Sequence, residues 1–144
     1  MKIKLLMITS LILSGITTAS FADGKFVKFT YPVNKSAPSA ITIKATGSHC
    51  IQSYNHDFTL SQGQSLDDEF IEDLGYSCSS RHQEIDYKIY NASTGKQVGE
   101  MDFYNPLFDF SHAFINLYLG GSKQQHTELP FSNTERKTIT MNWG

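Results

Sequence analysis

The sequence predicts an all-β fold: a single-domain antiparallel β-sandwich with at most one short helix, for which a small β-barrel is the alternative. Two observations lead to this prediction. Apolar and polar residues alternate in several short segments that are rich in β-branched and aromatic residues, as in strands with one buried face. Turn signals separate these segments at intervals of about 8–12 residues, a spacing typical of sandwiches and barrels.

The first 22 residues have the organisation of a secretory signal peptide. Two early lysines precede a twelve-residue apolar stretch, and Ser20 and Ala22 place small side chains at positions −3 and −1 of a cleavage site. As a helix, the apolar stretch would be roughly 18 Å long, shorter than a hydrocarbon core of about 30 Å. We therefore predict cleavage before Asp23, a single domain over residues 23–144, and no transmembrane segment after processing.

The charge of the predicted mature chain restricts its partners. Removal of the two early lysines leaves 10 basic residues against 14 acidic ones, a formal charge of −4. Because no basic stripe is present, nucleic acid is not expected to bind. No cofactor motif occurs either, so we expect no cofactor.

Strand candidates follow one another along the whole mature chain. The segments that alternate most clearly are residues 26–33, 41–45, 84–90 and 137–143. Shorter candidates are residues 57–60 and 97–104. Residues 113–119 are apolar on both faces, as in a central strand covered on both sides. Residues 91–96 carry turn signals between two strand patterns and predict a hairpin, and Gly99 indicates a bulge in the returning strand.

Residues 65–75 are the one place where a short helix competes with other structures. Leu66, Phe70 and Leu74 recur at a four-residue spacing, with Ser65 as a helix cap and Gly75 as a stop. An acidic loop or an edge strand fits the same residues. The acidic side chains of this segment are expected to form a solvated face.

Cys50 and Cys78 are the only cysteines, and each has a histidine nearby. An exported chain with an even cysteine count favours a disulfide, because the periplasm and the extracellular medium are oxidising. The alternative is a zinc site formed by His49, Cys50, Cys78 and His82. Adjacent residues of an extended segment point to opposite faces, so His49 and Cys50 fit one ion poorly. We predict the disulfide and no metal site.

A second cluster of polar residues suggests acid–base chemistry. His82, Glu84 and Asp86 alternate along a predicted strand and therefore share a face. A small secreted hydrolase that uses His82 with Glu84 or Asp86 is the alternative function. No nucleophile or glycine-rich elbow lies near them, so we assign no catalytic residue.

Residues 103–114 are unusually rich in aromatic side chains, and two interpretations compete. In the first, the rings fill the core, with Phe103 and Phe114 facing inward. In the second, an exposed aromatic loop contacts a partner. The partner-binding candidates in this stretch are Tyr104, Phe108, Phe110 and His112.

Together these patterns predict a small secreted or periplasmic protein with a non-catalytic binding or interaction role. One disulfide would stabilise the sandwich. An exported effector or an inhibitor would both have these properties. The expected partner is a protein or a glycan.

Overall fold

The computed structural model describes residues 24–73, 75, 78, 82–106, 113–129 and 135–143. The predicted signal peptide lies outside the described residues. The described part contains ten strands and no helix, which confirms the all-β prediction. In chain order the strands are β1 (Gly24–Thr30), β2 (Ala40–His49), β3 (Ile51–Ser53), β4 (Asp57–Ser61), β5 (Ser65–Glu72), β6 (Gln83–Asn91), β7 (Gln97–Asn105), β8 (Phe114–Leu119), β9 (Ser122–Glu128) and β10 (Arg136–Thr140).

The strands form two sheets. The smaller sheet has the order β10-β1-β5-β3, and the larger has the order β4-β2-β6-β7-β8-β9. All pairs are antiparallel except β1 and β10, which run parallel with Phe29 opposite Ile139. Two open sheets that share one core form a β-sandwich, as predicted, rather than the alternative barrel.

The core consists of the inward-facing side chains of both sheets. On β1 these are Val27 and Phe29, both fully buried. The rings of Phe70 and Phe103 stack across the sheets with centroids 4.7 Å apart, and those of Phe29 and Phe58 lie 5.3 Å apart. Alternation therefore predicts the buried face of β1 correctly up to Tyr31. Val33, predicted to continue this face, is 76% exposed because the strand ends at Thr30.

The hairpin predicted over residues 91–96 is confirmed. The side-chain Oδ1 of Asn91 accepts hydrogen bonds from the backbone N–H groups of Ser93 (3.0 Å) and Thr94 (3.3 Å), which closes the turn between β6 and β7. Ile89 pairs with Gly99 but Tyr90 pairs with Gln97, so the predicted bulge lies next to Gly99, with Val98 as the extra residue. A Cβ at Gly99 would lie 2.5 Å from the backbone oxygen of Tyr118, so only glycine lets β7 and β8 pack this closely.

Residues 65–72 form strand β5, not a helix. The strand lies between β1 and β3 and directs Leu66, Asp68 and Phe70 inward. The expectation of a wholly solvated acidic face is therefore wrong for Asp68, which is only 8% exposed. Asp67, on the opposite face, is exposed and forms an ion pair with Arg136 (3.1 Å).

The strand β8 lies between β7 and β9, so it is an interior strand of the larger sheet, as predicted. One expectation for β8 needs correction. Phe114 does not face the core: Ile115 and Leu117 do, and Phe114 is half-buried on the outer face. Phe103 on β7 is fully buried, as predicted.

Candidate functional site

Five aromatic and imidazole rings lie in a continuous line across the outer face of the larger sheet. We call this line the ring row; its members are His49, His82, Tyr104, Phe114 and His126. Successive ring centroids are 5.0, 5.6, 5.5 and 4.8 Å apart. Such spacings are typical of aromatic side chains in direct contact.

Strand register brings these rings together from distant parts of the chain. Tyr104 lies opposite Phe114, and Glu84 lies opposite both His49 and Tyr104. Cross-strand neighbours on one face are close enough for large side chains to touch. His82, immediately before β6, fills the gap between His49 and Tyr104. The row therefore crosses β2, β6, β7, β8 and β9.

Neighbouring rings in the ring row are tilted relative to each other. Successive ring planes are inclined by 31°, 37°, 50° and 44°. Tyr104 and Phe114 are half-buried, whereas the side chain of His82 is 44% exposed.

Four carboxylates lie beside the ring row on β6 and β7. We call them the acid block: Glu84, Asp86, Glu100 and Asp102. Asp86 lies directly opposite Asp102 in the strand register. Burial raises the pKa of Asp86, and the charges of Glu84, Asp102 and Glu100 raise it further. The neighbouring carboxylates thus add to an effect on the Asp86 pKa of which burial is the largest cause.

A chain of hydrogen bonds joins the acid block to the end of the ring row. Asn116 donates from Nδ2 to Oδ2 of Asp102 (2.8 Å), and its Oδ1 accepts a hydrogen bond from Nδ1 of His126 (2.8 Å). The carboxylate of Asp102 fixes the orientation of the Asn116 amide, because it accepts from Nδ2 and so leaves Oδ1 to face His126. The amide therefore couples the position of the His126 ring to that of the Asp102 carboxylate.

A buried pair of amide side chains on the inner face of the larger sheet lies beneath the ring row. Gln83 and Asn105, at the facing ends of β6 and β7, are fully buried, and Asn105 donates from Nδ2 to Oε1 of Gln83 (2.6 Å). Glu84 and Tyr104 are their immediate neighbours and point outward. A satisfied buried amide pair holds these strand ends in register, and with them the centre of the ring row.

The predicted disulfide between Cys50 and Cys78 is confirmed, with an S–S distance of 2.12 Å. Both thiols are therefore consumed, so the alternative zinc site with Cys50 and Cys78 as thiolate ligands is wrong. The described residues contain no group of three or more potential ligands that could hold a metal ion. The two histidines near the cysteines are instead neighbours in the ring row.

The candidate acid–base residues are brought only partly together. His82 Nε2 lies 3.2 Å from Glu84 Oε2, and both side chains are substantially exposed. Asp86 shares their face but contacts neither side chain by hydrogen bond. No serine, threonine or cysteine hydroxyl or thiol within the described ranges is hydrogen-bonded to His82.

Of the predicted partner-binding residues, Tyr104 lies at the centre of the ring row. Phe108, Phe110 and His112 lie outside the described residues. Sequence reasoning missed Phe114 as an outward residue and assigned no such role to His49 or His126. The missing signal was the register between strands, which a single sequence does not show.

Comparison with protein-family models, with curated proteins and with solved structures gave no match to this chain. Its function must therefore be argued from the site. No helix that is long and apolar enough to cross a bilayer occurs in the part of the chain that the structure describes.

Proposed function

We propose that this chain is an exported, non-catalytic binding protein whose binding face is the ring row together with the acid block. The observation that carries the proposal is the ring row itself: four rings on four strands and His82 just before β6, gathered on the outer face of the sheet. Aromatic side chains are enriched where proteins bind partners. An exported effector or an inhibitor would both use such a face.

Two further features support this function. The disulfide is consistent with an oxidising compartment, as expected for a secreted or periplasmic protein. The rings are also held on strands and supported by the buried Gln83–Asn105 pair, so the face is organised before any partner arrives. Preorganisation lowers the entropy cost of binding.

The test compares two tyrosines on the same sheet. Mature protein is used to capture partners from periplasmic extract and from host lysate, with Tyr104→Ala as the site variant and Tyr90→Ala as the control. Both tyrosines are half-buried, and Tyr90 lies six positions along β6 from Glu84, the neighbour of Tyr104. That distance is about 20 Å along the strand.

The proposal predicts a partner that is retained by wild type and by Tyr90→Ala but lost by Tyr104→Ala. Thermal unfolding of all three proteins checks that each is folded. Partners retained equally by the two variants would show that the ring row is not the binding face.

A small hydrolase that uses His82 and Glu84 is the second candidate, supported by their 3.2 Å contact. Its test is hydrolysis of a panel of chromogenic esters and glycosides by wild type and His82→Ala. Hydrolysis that is lost in the variant would favour the enzyme over the binding protein.

A further inference from the structure

One end of the sandwich carries an open groove that no member of the ring row lines. We call it the end groove; it lies where the β6–β7 hairpin, the turn between β8 and β9, and the segment after β10 come together. Its volume is about 570 Å³. Sites for small molecules typically have volumes of about 300–1,000 Å³, so the end groove has the size of a ligand site.

Two aromatic side chains supply the apolar part of the end groove. Trp143 is the only tryptophan of the chain and is half-buried. Its ring contacts that of Tyr31, with centroids 5.5 Å apart, and its backbone oxygen accepts a hydrogen bond from Nδ2 of Asn34 (2.6 Å). Tyr118, also half-buried, lies on β8 opposite Glu100. Both rings are therefore held in place by the fold before a ligand arrives.

The turn between β8 and β9 adds no side chain to the end groove. Gly120 and Gly121 have φ values of 62° and 84°, and a Cβ on either glycine would meet no atom within 4 Å. A two-residue hairpin turn with positive φ at both positions favours glycine. As a consequence, the backbone of this turn forms part of the groove wall beside Tyr118 and Trp143.

The polar side chains of the end groove include hydrogen-bond donors and acceptors without an excess of either charge. Lys96 and Glu100 are the charged side chains among the described residues that line it, one of each sign. Gln97 donates from Nε2 to Oε1 of Glu100 (2.9 Å), which orients the carboxylate. Such a lining suits a neutral ligand with many hydroxyl groups better than it suits an ion, because hydroxyls both donate and accept.

A second, smaller groove continues from the end groove, since Glu100 and Tyr118 line both. Its volume is about 230 Å³, and Thr46, Asp86 and Lys88 also line it. Lys88 lies opposite Glu100 in the strand register, so cationic, anionic and hydroxyl groups are mixed here too. A ligand that occupies both grooves must be elongated and must carry hydrogen-bonding groups along its length.

We infer that the two joined grooves bind a neutral oligosaccharide, with one sugar against Trp143 and the chain running past Tyr118 toward Thr46. Pyranose sugars with equatorial hydroxyls have the matching chemistry. Their ring faces present C–H groups, which carry partial positive charge and are attracted to the negative faces of aromatic rings. Their rims present hydroxyls for the polar side chains. This site is additional to the proposed binding face, with which it shares members of the acid block but none of the ring row.

The test uses the fluorescence of Trp143, which reports on the end groove alone because the chain has no other tryptophan. Mature protein is titrated with cellotetraose, with tetra-N-acetylchitotetraose and, as an acidic probe, with tetragalacturonate. The site variants are Glu100→Ala and Tyr118→Ala. The control is Glu128→Ala, which removes an equally exposed glutamate from β9, opposite Phe114 and outside both grooves. Thermal unfolding checks that each variant is folded, and Glu100→Ala suffices if Tyr118→Ala is not.

We expect at least one neutral oligosaccharide to change the emission of Trp143 in wild type and in Glu128→Ala. Glu100→Ala should weaken this binding about tenfold, because it removes a charged hydrogen-bond acceptor. Tyr118→Ala should weaken it about three- to tenfold through loss of an aromatic contact. The affinity should change little as ionic strength rises to about 0.15 M, since a neutral ligand is not screened.

No response to either neutral oligosaccharide, stronger binding of tetragalacturonate, or equal weakening in Glu100→Ala and Glu128→Ala would overturn the inference. Calorimetric titration of Tyr104→Ala separates this site from the proposed binding face. Sugar binding that is lost in Tyr104→Ala and kept in Glu100→Ala would move the sugar to the ring row, which refutes the end groove and supports the binding face. Sugar binding that requires Glu100, with no partner lost by Tyr104→Ala, would do the reverse.

Discussion

At the residue scale, Asp68 combines a buried position with an ionisable side chain. It faces inward between Leu66 and Phe70, and its Oδ2 is buried without a hydrogen-bond partner in the described part of the chain. Its Oδ1 accepts a hydrogen bond from the backbone N–H of Glu69 (2.8 Å). Burial nevertheless raises the pKa of Asp68, since desolvation, aided by the charge of Glu69, outweighs the backbone hydrogen bonds from Glu69 and Asn55.

The raised pKa of Asp68 predicts how stability depends on pH. A group whose pKa is higher in the folded state stabilises the fold below its unfolded pKa, and this contribution is lost as the pH rises through the folded value. Asp68→Asn should therefore be more stable than wild type at neutral pH, with the difference disappearing toward acidic pH. The asparagine Oδ1 can still accept from Glu69. Urea unfolding between acidic and neutral pH measures the difference.

Asp67→Asn is the control for this experiment, because Asp67 is exposed on the same strand and its ion pair with Arg136 lies at the surface. The free energy of unfolding of Asp67→Asn should differ little from that of wild type throughout the pH range. If the free energy of unfolding of Asp68→Asn depends on pH in the same way as that of wild type, a group other than Asp68 causes this dependence.

Phe103 and Phe114 should respond differently to truncation. Phe103 is fully buried and stacks on Phe70, so Phe103→Ala should lower the free energy of unfolding by about 3–5 kcal/mol. Phe114 is half-buried on the outer face, so Phe114→Ala should cost less and should weaken partner binding. Thermal unfolding compares the two. Equal losses of stability would place Phe114 in the core after all.

The inward position of Phe103 could be predicted from sequence, whereas the outward position of Phe114 could not. Glu100 and Asp102 alternate with Met101 and Phe103, so the pattern places Phe103 on the apolar face although its strand is one of the shorter candidates. Residues 113–119 are apolar at successive positions, so periodicity does not tell which face is buried. The pairing of Phe114 with Tyr104 shows that Phe114 lies on the outer face.

At the element scale, β5 shows how one spacing fits two structures. Leu66 and Phe70 are four residues apart, which places them on one face of a helix and also on one face of a strand. The residue between them on the strand face is Asp68, whose charge hides the alternation. The segment forms a strand because it pairs with β1 along seven residues. The local sequence does not show that contact.

The disulfide stabilises the junction between β2 and β3 and the segment that leads into β6. It closes a sequence separation of 28 residues, for which chain entropy predicts a contribution of about 3–4 kcal/mol. Replacing both Cys50 and Cys78 by alanine should lower the melting temperature accordingly. It should also weaken binding, because His82 follows Cys78 closely and would lose its fixed position beside His49.

Reduction provides the control for this prediction. A thiol reductant should lower the melting temperature of wild type toward that of the double alanine variant and leave the variant unchanged. Two titratable thiols in denatured, unreduced wild type would contradict the bond itself.

At the scale of the whole molecule, the class of fold was predictable and its topology was not. Alternation and turn spacing specify half-buried strands, which have few ways to pack other than a sandwich or a barrel. The order of the strands depends on contacts between residues far apart in sequence. His49 and His126 belong to one site only because four intervening pairings align them. The ring row is therefore a property of the assembled sheet.

The predicted signal peptide implies that the chain is exported and shortened. If residues 1–22 are a signal peptide, protein recovered from the periplasm or the medium should begin at Asp23. Intact-mass measurement of exported protein tests this directly. Retention of the first 22 residues would contradict the proposed compartment.

The parallel pairing of β1 with β10 has a consequence for the order in which the protein can fold. The side-chain hydroxyl of Thr30 contacts Thr140 across a separation of 110 residues. The strand β1 therefore cannot pair with β10 until more than a hundred further residues have been synthesised. Until then, one hydrogen-bonding edge of β1 lacks its partner strand. The smaller sheet is thus completed only after translation of β10.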